Sequence, residues 1–481
     1  MGSGQVTDWQ GKNVTVAGLG VSGVPAAKVL HGLGARVTVV NDGDDERARA
    51  QAAELRALGV TVRLGDGATL PEGTELIVTA PGWKPDKPLF AAAAEADVPV
   101  WGDVELAWRL RGRDGRNAAP WLCVTGTNGK TTTTQMLAAI LKAAGLRTAA
   151  VGNIGVSLLD AVLGEEEYRD LDVLAVELSS YQLHWAPSLR AHSAAVLNLA
   201  PDHLDWHGSM EAYARDKGRI YEGNRVACVY NADATDKPST EDLVREADVE
   251  EGCRAVGFTL GTPGPSQLGV VDGILVDRAF VENRHKNAQE LAEVSDVNPP
   301  APHNVANALA AAALARAFGV PARAVRDGLR AFTPDAHRIA HVADVSGVAY
   351  VDDSKATNTH AAQASLAAYE SIVWIAGGLA KGATFDEVVA QSAKRLRGVV
   401  LIGADRELIR EALVRHAPEV PVVDLDRTDT GAMLQAVQEA QRLARPGDTV
   451  LLAPACASMD MFANYNKRGD AFAEAVRELG A

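Results

Sequence analysis

The sequence predicts an α/β protein of three domains, each an open, mainly parallel sheet with flanking helices, and three observations carry that prediction. The same pattern restarts three times, at "NVTVAGLG", "WLCVTGTNGK" and "VAYVDDSKATN": a short β-branched run ends in glycines or polar residues, and a helix-like stretch follows. The chain has 481 residues, too many for one ordinary hydrophobic core. Two joints separate the restarts, the polar, Arg- and Gly-rich "RGRDGRN" and the Pro-marked "AFTPDAHR" near Thr333. They divide the chain at residues 1–112, 113–333 and 334–481.

Taken in order, the first segment predicts a strand from Val14 to Ala17, a glycine turn and a helix with Pro25 in its early turns. A second strand ends at Asp42, and further strands lie at "ELIVTAPG" and "VPVWG". The central segment predicts strands at "WLCVT", "DVLAVELSS", "AAVLNLAPDH" and "ACVYNAD", with helices at "KTTTTQMLAAILKAAG" and "NVANALAAAALARAFG". From about Ala234 to Pro302, Gly and Pro punctuate short runs such as "GVVDGILVD", which predicts β-structure or loops there. The last segment predicts strands at "VAYVDDS", "SIVWIAGG", "VVLIG" and "DTVLLAPACAS".

A hydrophobic share of 47% and a charged share of 23% are those of a globular protein and exclude extended disorder. The net charge of -15 excludes a broad basic face for nucleic acid or an anionic membrane. Any anionic ligand must therefore be met by locally placed cations. Cys123, Cys228, Cys253 and Cys456 form no C-x-x-C pair, no segment reaches the ~18 apolar residues of a membrane span, and the start has no secretory pattern. A reduced, cytoplasmic protein without membrane insertion is expected.

"CVTGTNGKTTTT" raises the main chemical question. A strand, a tight turn and a helix carrying Lys130 and Thr131 in its first turn can hold nucleotide phosphates, with the Thr131 hydroxyl available to Mg²⁺. Yet Val124 stands where a phosphate loop normally has its first glycine, so an incidental Gly-Lys turn is the other reading. Glu177, ending the apolar run "DVLAVE", is placed to reach a nucleotide-bound Mg²⁺, or is a solvated strand end. "DHLDWHGSMEAYARDKGR" crowds His203, Asp205, His207 and Lys217 without zinc-type spacing. "GLGVSG" with Asp42 about 20 residues on fits a dinucleotide, a UDP-linked substrate or plain helix–strand packing.

The ordered set "GTNGKTTT", "ELSSYQL", "DHLDWH", "HNVANALAAA", His337-Arg338, "DDSKATN", "GGLAKG" and "PACASMDMF" resembles the Mur ligases over nearly the whole chain. These are ATP-dependent amide-forming enzymes of peptidoglycan precursor synthesis, and their phosphate loop is the short G-T-N-G-K-T form. The resemblance implies a Rossmann-like first domain, a P-loop ATPase-like centre and a Rossmann-like third domain. "DDSKATN", "GLGVSG" and "ELSSYQL" are most similar to the member that adds D-glutamate to UDP-N-acetylmuramoyl-L-alanine through an acyl phosphate, releasing ADP and phosphate.

Carried over position by position, the resemblance implies a catalytic set of Lys130, His203, Lys217 and Arg338. ATP contacts fall on Gly126, Thr127, Asn128, Gly129, Lys130, Thr131, Thr132, Asn304, Asn307, Arg338 and Asp353, with Arg338 reaching the phosphates only on domain closure. The UDP-linked substrate falls on Gly20, Val21, Ser22, Asp42, Thr79, Gly82 and Asn153, and D-glutamate on Lys355, Thr357, Lys381, Ser458 and Tyr465. Two Mg²⁺ sites use Thr131, Glu177, His203 and Lys217, the last carbamylated. Tyr465 and Leu379 depart from relatives that carry Phe and Asp there, which touches contact detail. A monomer with small-molecule partners is implied. A folylpolyglutamate synthase, a sister Mur ligase, or a nucleotide switch with an NAD module are the rival readings.

Overall fold

The computed structural model describes residues 8–164, 166–235, 237–427, 429 and 431–479. Two compact units emerge: the first runs to Val297 and takes back Asn304–Phe332, and the second comprises Asn298–His303 and the chain from Thr333 onward.

The first unit contains two sheets. The smaller has strands β1 (Asn13–Ala17), β2 (Arg36–Asn41), β3 (Thr61–Leu64), β4 (Leu76–Thr79) and β5 (Val100–Gly102), all parallel, in the order β3-β2-β1-β4-β5. Their Val and Ile side chains, the half-buried Val100 at the β5 edge excepted, are buried because helices cover the sheet, as parallel sheets require. The strand order reverses between β1 and β4, and a crevice opens at the carboxyl ends of the strands at such a point. The glycine turn following β1 lies there.

The larger sheet has β6 (Trp121–Thr125), β7 (Thr148–Gly152), β8 (Val173–Glu177), β9 (Ser193–Val196), β10 (Ala227–Asn231), β11 (Arg254–Phe258), β12 (Gln267–Val271), β13 (Ile274–Asp277) and β14 (Gln289–Glu293). Its order is β14-β13-β12-β11-β10-β9-β6-β8-β7, with β6 inside and only the β12–β13 and β13–β14 pairs antiparallel. The stretch from Ala234 to Pro302 thus extends this sheet, as expected, but also forms a helix, Thr240–Glu246. That helix starts at a capping box in which Ser239 and Asp242 satisfy each other's backbone N–H, a signal present in "STED". In "GVVDGILVD" the hairpin turns at Asp272-Gly273, both at positive φ (48° and 77°), the conformation two-residue hairpins favour.

The helix Pro302–Ala317 is buried all round, and its run of alanines lets surrounding elements approach closely. Alongside it, helix Ala322–Ala331 meets helix Lys130–Ala143 at Gly328, where a Cβ would stand 2.4 Å from the Ile140 Cα. One core joins both sheets of this unit, including Trp108 edge-on to Trp121 at 5.1 Å.

The second unit is a six-stranded sheet: β15 (Ala340–Val345), β16 (Val348–Asp352), β17 (Ile372–Gly377), β18 (Leu396–Ile402), β19 (Val422–Asp424) and β20 (Thr449–Leu452). The order is β15-β16-β20-β17-β18-β19, with only the β15–β16 hairpin antiparallel. Apolar cores lie on both faces. Among the described residues no helix is long and apolar enough to cross a membrane.

Candidate active site

Val124 is a buried strand residue paired with Glu177 on one side and Ala195 on the other. The turn begins two residues later than in a longer phosphate loop, at Gly126 (φ 151°), and ends at Gly129 (φ 84°), which opens helix Lys130–Ala143. Both glycines are required. A Cβ on Gly129 would stand 2.3 Å from Asn307 Oδ1, and one on Gly126 would press on Leu197 at 3.0 Å. The segment following β9 braces the loop: Asn128 N–H donates to Asn198 Oδ1 (2.8 Å), Asn198 Nδ2 returns a bond to Asn128 O (3.0 Å), and Thr127 Oγ1 meets Tyr213 OH (3.0 Å). Thr131 and Thr132 are buried in the first helical turn. Lys130 curls over the loop, donating from Nζ to Gly126 O and Thr127 O, both at 2.9 Å.

Lys217, in helix Met210–Gly218, reaches the same carbonyl. Its Nζ is fully buried and donates to Gly126 O (2.9 Å) and Thr125 Oγ1 (3.4 Å), 4.7 Å over the Tyr213 ring. Burial, and then the neighbouring Lys130 ammonium, hold Lys217 well below the usual ammonium range. Glu177 ends β8 with one carboxylate oxygen accepting from Asn153 Nδ2 (3.0 Å). Its other oxygen, Oε2, is buried without a hydrogen-bond partner among the described residues. His203 sits at positive φ (55°) before the short helix Leu204–His207, against the Tyr181 ring, and burial lowers its pKa.

One buried carboxylate ties these elements together. Asp216 Oδ2 accepts from His184 Nδ1 (2.9 Å) and His207 Nδ1 (3.0 Å), and Arg219 Nε lies 3.2 Å from Oδ1. His207 Nε2 in turn meets Ser180 Oγ (2.9 Å). Asp216 therefore links the helix after Glu177, the helix after His203 and the helix bearing Lys217. Burial works against its charge, but the two histidine bonds prevail and bring its pKa to about 2. Asp216→Asn is expected to destabilise this unit by about 1–3 kcal/mol and to weaken turnover further than that loss of folded protein explains. Urea denaturation alongside kinetics checks both.

At the glycine turn of the small sheet, Gly18 (φ 102°) and Gly23 allow the backbone to fold tightly, since a Cβ on Gly23 would stand 1.9 Å from Gly18 O. Leu19 N–H donates to Asn41 Oδ1 (3.0 Å), and Ser22 Oγ donates to Asp103 Oδ2 (2.9 Å). Val21 is 80% exposed at the tip. Thr79 is buried at the end of β4, paired with Ala17, and Gly82 O accepts from Trp206 Nε1 (3.2 Å). Asp42 pairs with Lys87 across the crevice at 2.5 Å.

In the second unit, the loops after β16, β17 and β20 meet. Lys355 Nζ donates to Tyr465 OH (3.2 Å) and lies 4.9 Å over its ring. Buried Arg468 donates to Ser354 Oγ (3.0 Å), Ser354 O (2.8 Å) and Cys456 O (3.1 Å), which joins "DDSKATN" to "PACAS". Arg468→Leu leaves those acceptors unpaired and is expected to cost about 3 kcal/mol or more, readable by urea denaturation. Lys381 is exposed at positive φ (51°), Thr357 N–H donates to Lys355 O (2.8 Å), and Ser458 is buried.

Asp353 accepts from Ser365 Oγ and, at 3.3 Å, from the Ile339 N–H, and burial pushes it up to about 6 despite the Ser365 bond and the Arg338 charge. A raised carboxylate pKa favours the folded state below its ordinary value of 3.8, and that contribution is lost as pH rises through about 6. Asp353→Asn is expected to flatten the fall in stability of this unit over that interval, checked by urea denaturation at several pH values.

Residues 124–315 match the Mur ligase middle domain, and residues 337–456 match the Mur ligase glutamate ligase domain. The UDP-N-acetylmuramoylalanine--D-glutamate ligase of Streptomyces coelicolor is 88% identical over 475 residues, covering 99% of this chain and all of that one. The protein of that name from Thermobifida fusca is 58% identical, covering 98% and 99%. The chain belongs to the Mur ligase family. MurF ligase from Thermotoga maritima in complex with ADP shares the fold, with a TM-score of 0.57 at 16% identity over 98% of this chain and 96% of that one.

In this Mur ligase the expected residues of the first unit fall into two groups. Gly126–Thr132, Glu177, Asn153, Lys217 and Asn307 surround the short loop, Asn304 being joined to it through Asn307 Nδ2 at 3.3 Å. Gly20, Val21, Ser22, Thr79 and Asp42 lie at the carboxyl edge of the small sheet. His207, one of the crowded polar residues, is a buried partner of Asp216. Sequence reasoning missed Asn41, Asn198, Asp216 and Arg468. Asn41 and Asn198 each follow a β-branched or apolar run at a sheet's carboxyl edge, a signal that could have found them. Asp216 and Arg468 had none, because nothing in the linear order shows that Asp216 meets His184 and His207 or that Arg468 meets Ser354 and Cys456.

Proposed function

We propose that this Mur ligase forms the amide bond between the alanyl carboxylate of UDP-N-acetylmuramoyl-L-alanine and the amine of D-glutamate, consuming ATP. The observation that carries this reading is the 88% identity with the Streptomyces coelicolor UDP-N-acetylmuramoylalanine--D-glutamate ligase over 99% of this chain and all of that one. The alanyl carboxylate oxygen attacks the γ-phosphorus of ATP and ADP leaves. The D-glutamate nitrogen then attacks the acyl carbon, loses a proton, and phosphate departs. A carboxylate is a poor electrophile, so phosphorylation supplies the leaving group it lacks.

In this reading the backbone N–H groups from Gly126 to Thr132 and the Lys130 ammonium receive the ATP phosphates, with Asn304, Asn307, Arg338 and Asp353 as further nucleotide contacts. Gly20, Val21, Ser22, Asp42, Thr79, Gly82 and Asn153 receive the UDP-linked substrate, and Lys355, Thr357, Lys381, Ser458 and Tyr465 receive D-glutamate. The proposed division is into residues 1–112, 113–333 and 334–481, with Asn153 in the second of these segments and Arg338 and Asp353 in the third.

Magnesium fits the first unit. The orphaned Glu177 Oε2 and the Thr131 hydroxyl are oxygen donors of the kind a hard cation takes. Among the described residues no three His, Cys, Asp or Glu side chains cluster as a metal site, so the set needs a further anion. Lys217 supplies it as a carbamate, with His203 beside it. When bound, Mg²⁺ would offset the charge gathering on the transferring phosphoryl group. The enzyme is proposed to act as a cytoplasmic monomer.

Phosphate release with UDP-N-acetylmuramoyl-L-alanine and a panel of amino acids tests the reading. D-glutamate alone is expected to support turnover, because a wrong ligand that leaves a buried cation or hydroxyl unpaired costs about 1–3 kcal/mol per group. Equal rates with L-glutamate or meso-diaminopimelate would overturn it. Calorimetry is further expected to show the UDP-linked substrate binding the free enzyme and NAD failing to do so.

A further inference from the structure

Cys228 and Cys253 are the two cysteines that the active-site chemistry leaves unused and that face one another. Cys228 lies buried in the middle of β10, and Cys253 is half-buried in the residue before β11, with their sulfurs 3.8 Å apart. They come together because β10 and β11 run parallel in register Ala227↔Arg254 and Cys228↔Ala255, which puts Cys253 on the same sheet face as Cys228.

We propose that Cys228 and Cys253 are a site of reversible oxidative modification, closing to an intramolecular disulfide when the protein meets hydrogen peroxide. A disulfide needs sulfurs at about 2.05 Å, so the pair must approach by a little under about 2 Å. Cys228 cannot supply that movement, since its strand is paired with β9 on one side and β11 on the other. Cys253 can. It closes the turn Glu250–Cys253, held by the Cys253 N–H to Glu250 O bond, in which Glu250, Glu251 and Gly252 are exposed and Gly252 has open space around its Cα.

The two thiols also differ in reactivity. The thiol–thiol contact holds the Cys253 thiol below its ordinary range and, with burial, raises that of Cys228, so the more accessible sulfur is also the better nucleophile. The Cys253 thiolate attacks a peroxide oxygen, the O–O bond breaks, and the departing hydroxide takes up a proton as water, leaving a sulfenic acid. The Cys228 sulfur then attacks the Cys253 sulfur, the S–O bond breaks, and the hydroxide leaves as water with the Cys228 proton. Two thiols are oxidised and one peroxide is reduced to two waters.

The clamp would act on more than its own turn. Gly223 N–H donates to Asp248 O (2.7 Å), Glu250 N–H donates to Asn224 O (3.1 Å), and Asn224 Nδ2 reaches the Cys228 sulfur at 3.5 Å. Closing the pair therefore ties the turn before β11 to the segment that follows the Lys217 helix.

The test is peroxide treatment of the full-length protein, followed by denaturing alkylation, peptide mapping and intact mass. A mass loss of two hydrogen atoms is expected, with Cys228 and Cys253 both protected from alkylation, and recovery on adding dithiothreitol. Cys123 and Cys456, fully buried, serve as internal controls that stay alkylatable after denaturation. Cys253→Ser, at the less buried position, should abolish the mass loss and leave Cys228 alkylatable. Oxidised wild type should also melt a few degrees higher than reduced, and Cys253→Ser should show no such shift. Conversion of Cys253 to sulfinic acid, survival of both thiols, or a lower melting temperature on oxidation would each overturn the proposal.

Discussion

Lys217→Ala is expected to lower turnover by about 10²–10³-fold or more, the loss that follows removal of a positioned charge-stabilising group. The amine is buried and donates to Gly126 O, the same carbonyl that receives Lys130. Burial, and then repulsion from the Lys130 ammonium that shares the acceptor, hold Lys217 well below the usual ammonium range. An amine held neutral can add CO₂ and release a proton, becoming a carbamate with two oxygens and a negative charge. An ammonium is a donor only and can ligate no cation. Lys217→Arg should fail as well, since a guanidinium forms no carbamate, and short carboxylic acids in solution should restore part of the Lys217→Ala activity by filling the vacated anionic position. ¹³C NMR of wild type under labelled bicarbonate should show a carbamate resonance that Lys217→Ala lacks. Near-normal turnover of either variant would return Lys217 to a structural role.

Glu177→Gln is expected to be almost as costly, with kcat down about 10²-fold or more and the Mg²⁺ concentration for half-activity raised. The amide keeps the volume and can still pair with Asn153, so stability in urea should change little. What it removes is the charge on a buried oxygen that has no hydrogen-bond partner among the described residues. Such an orphan is costly unless something completes it. If Glu177→Gln instead raises stability and leaves the Mg²⁺ dependence unchanged, the orphaned oxygen is a packing defect and the metal assignment fails.

Much of the fold was legible because parallel sheets announce themselves locally. A buried strand must be apolar along its length, and the turn at its carboxyl end must be glycine-rich or polar, so "WLCVTGTNG" and "NVTVAGLG" declare both element and site edge. The helix at Thr240–Glu246 was passed over because it is short and polar, although its capping box was visible in the sequence. Strand order was hidden. Nothing in the chain near β6 states that β8 and β9 flank it, and pairing is a matter of long-range burial.

The same division holds for the site. By itself the sequence determined the three α/β restarts, the short phosphate loop, the strand-end Glu177 and the resemblance that assigns Lys217 its place, because each depends on residues adjacent in the chain. Tertiary structure alone decided that Val124 is a strand residue clasped between Glu177 and Ala195, and that Gly126 O gathers Lys130 and Lys217. It also decided that Asp216 binds His184 and His207, and that Cys228 faces Cys253. Those contacts join residues from 4 to 91 positions apart. Their energies come from burial and from pairing charges away from water, and a linear reading of residue types cannot supply which groups share that dry space.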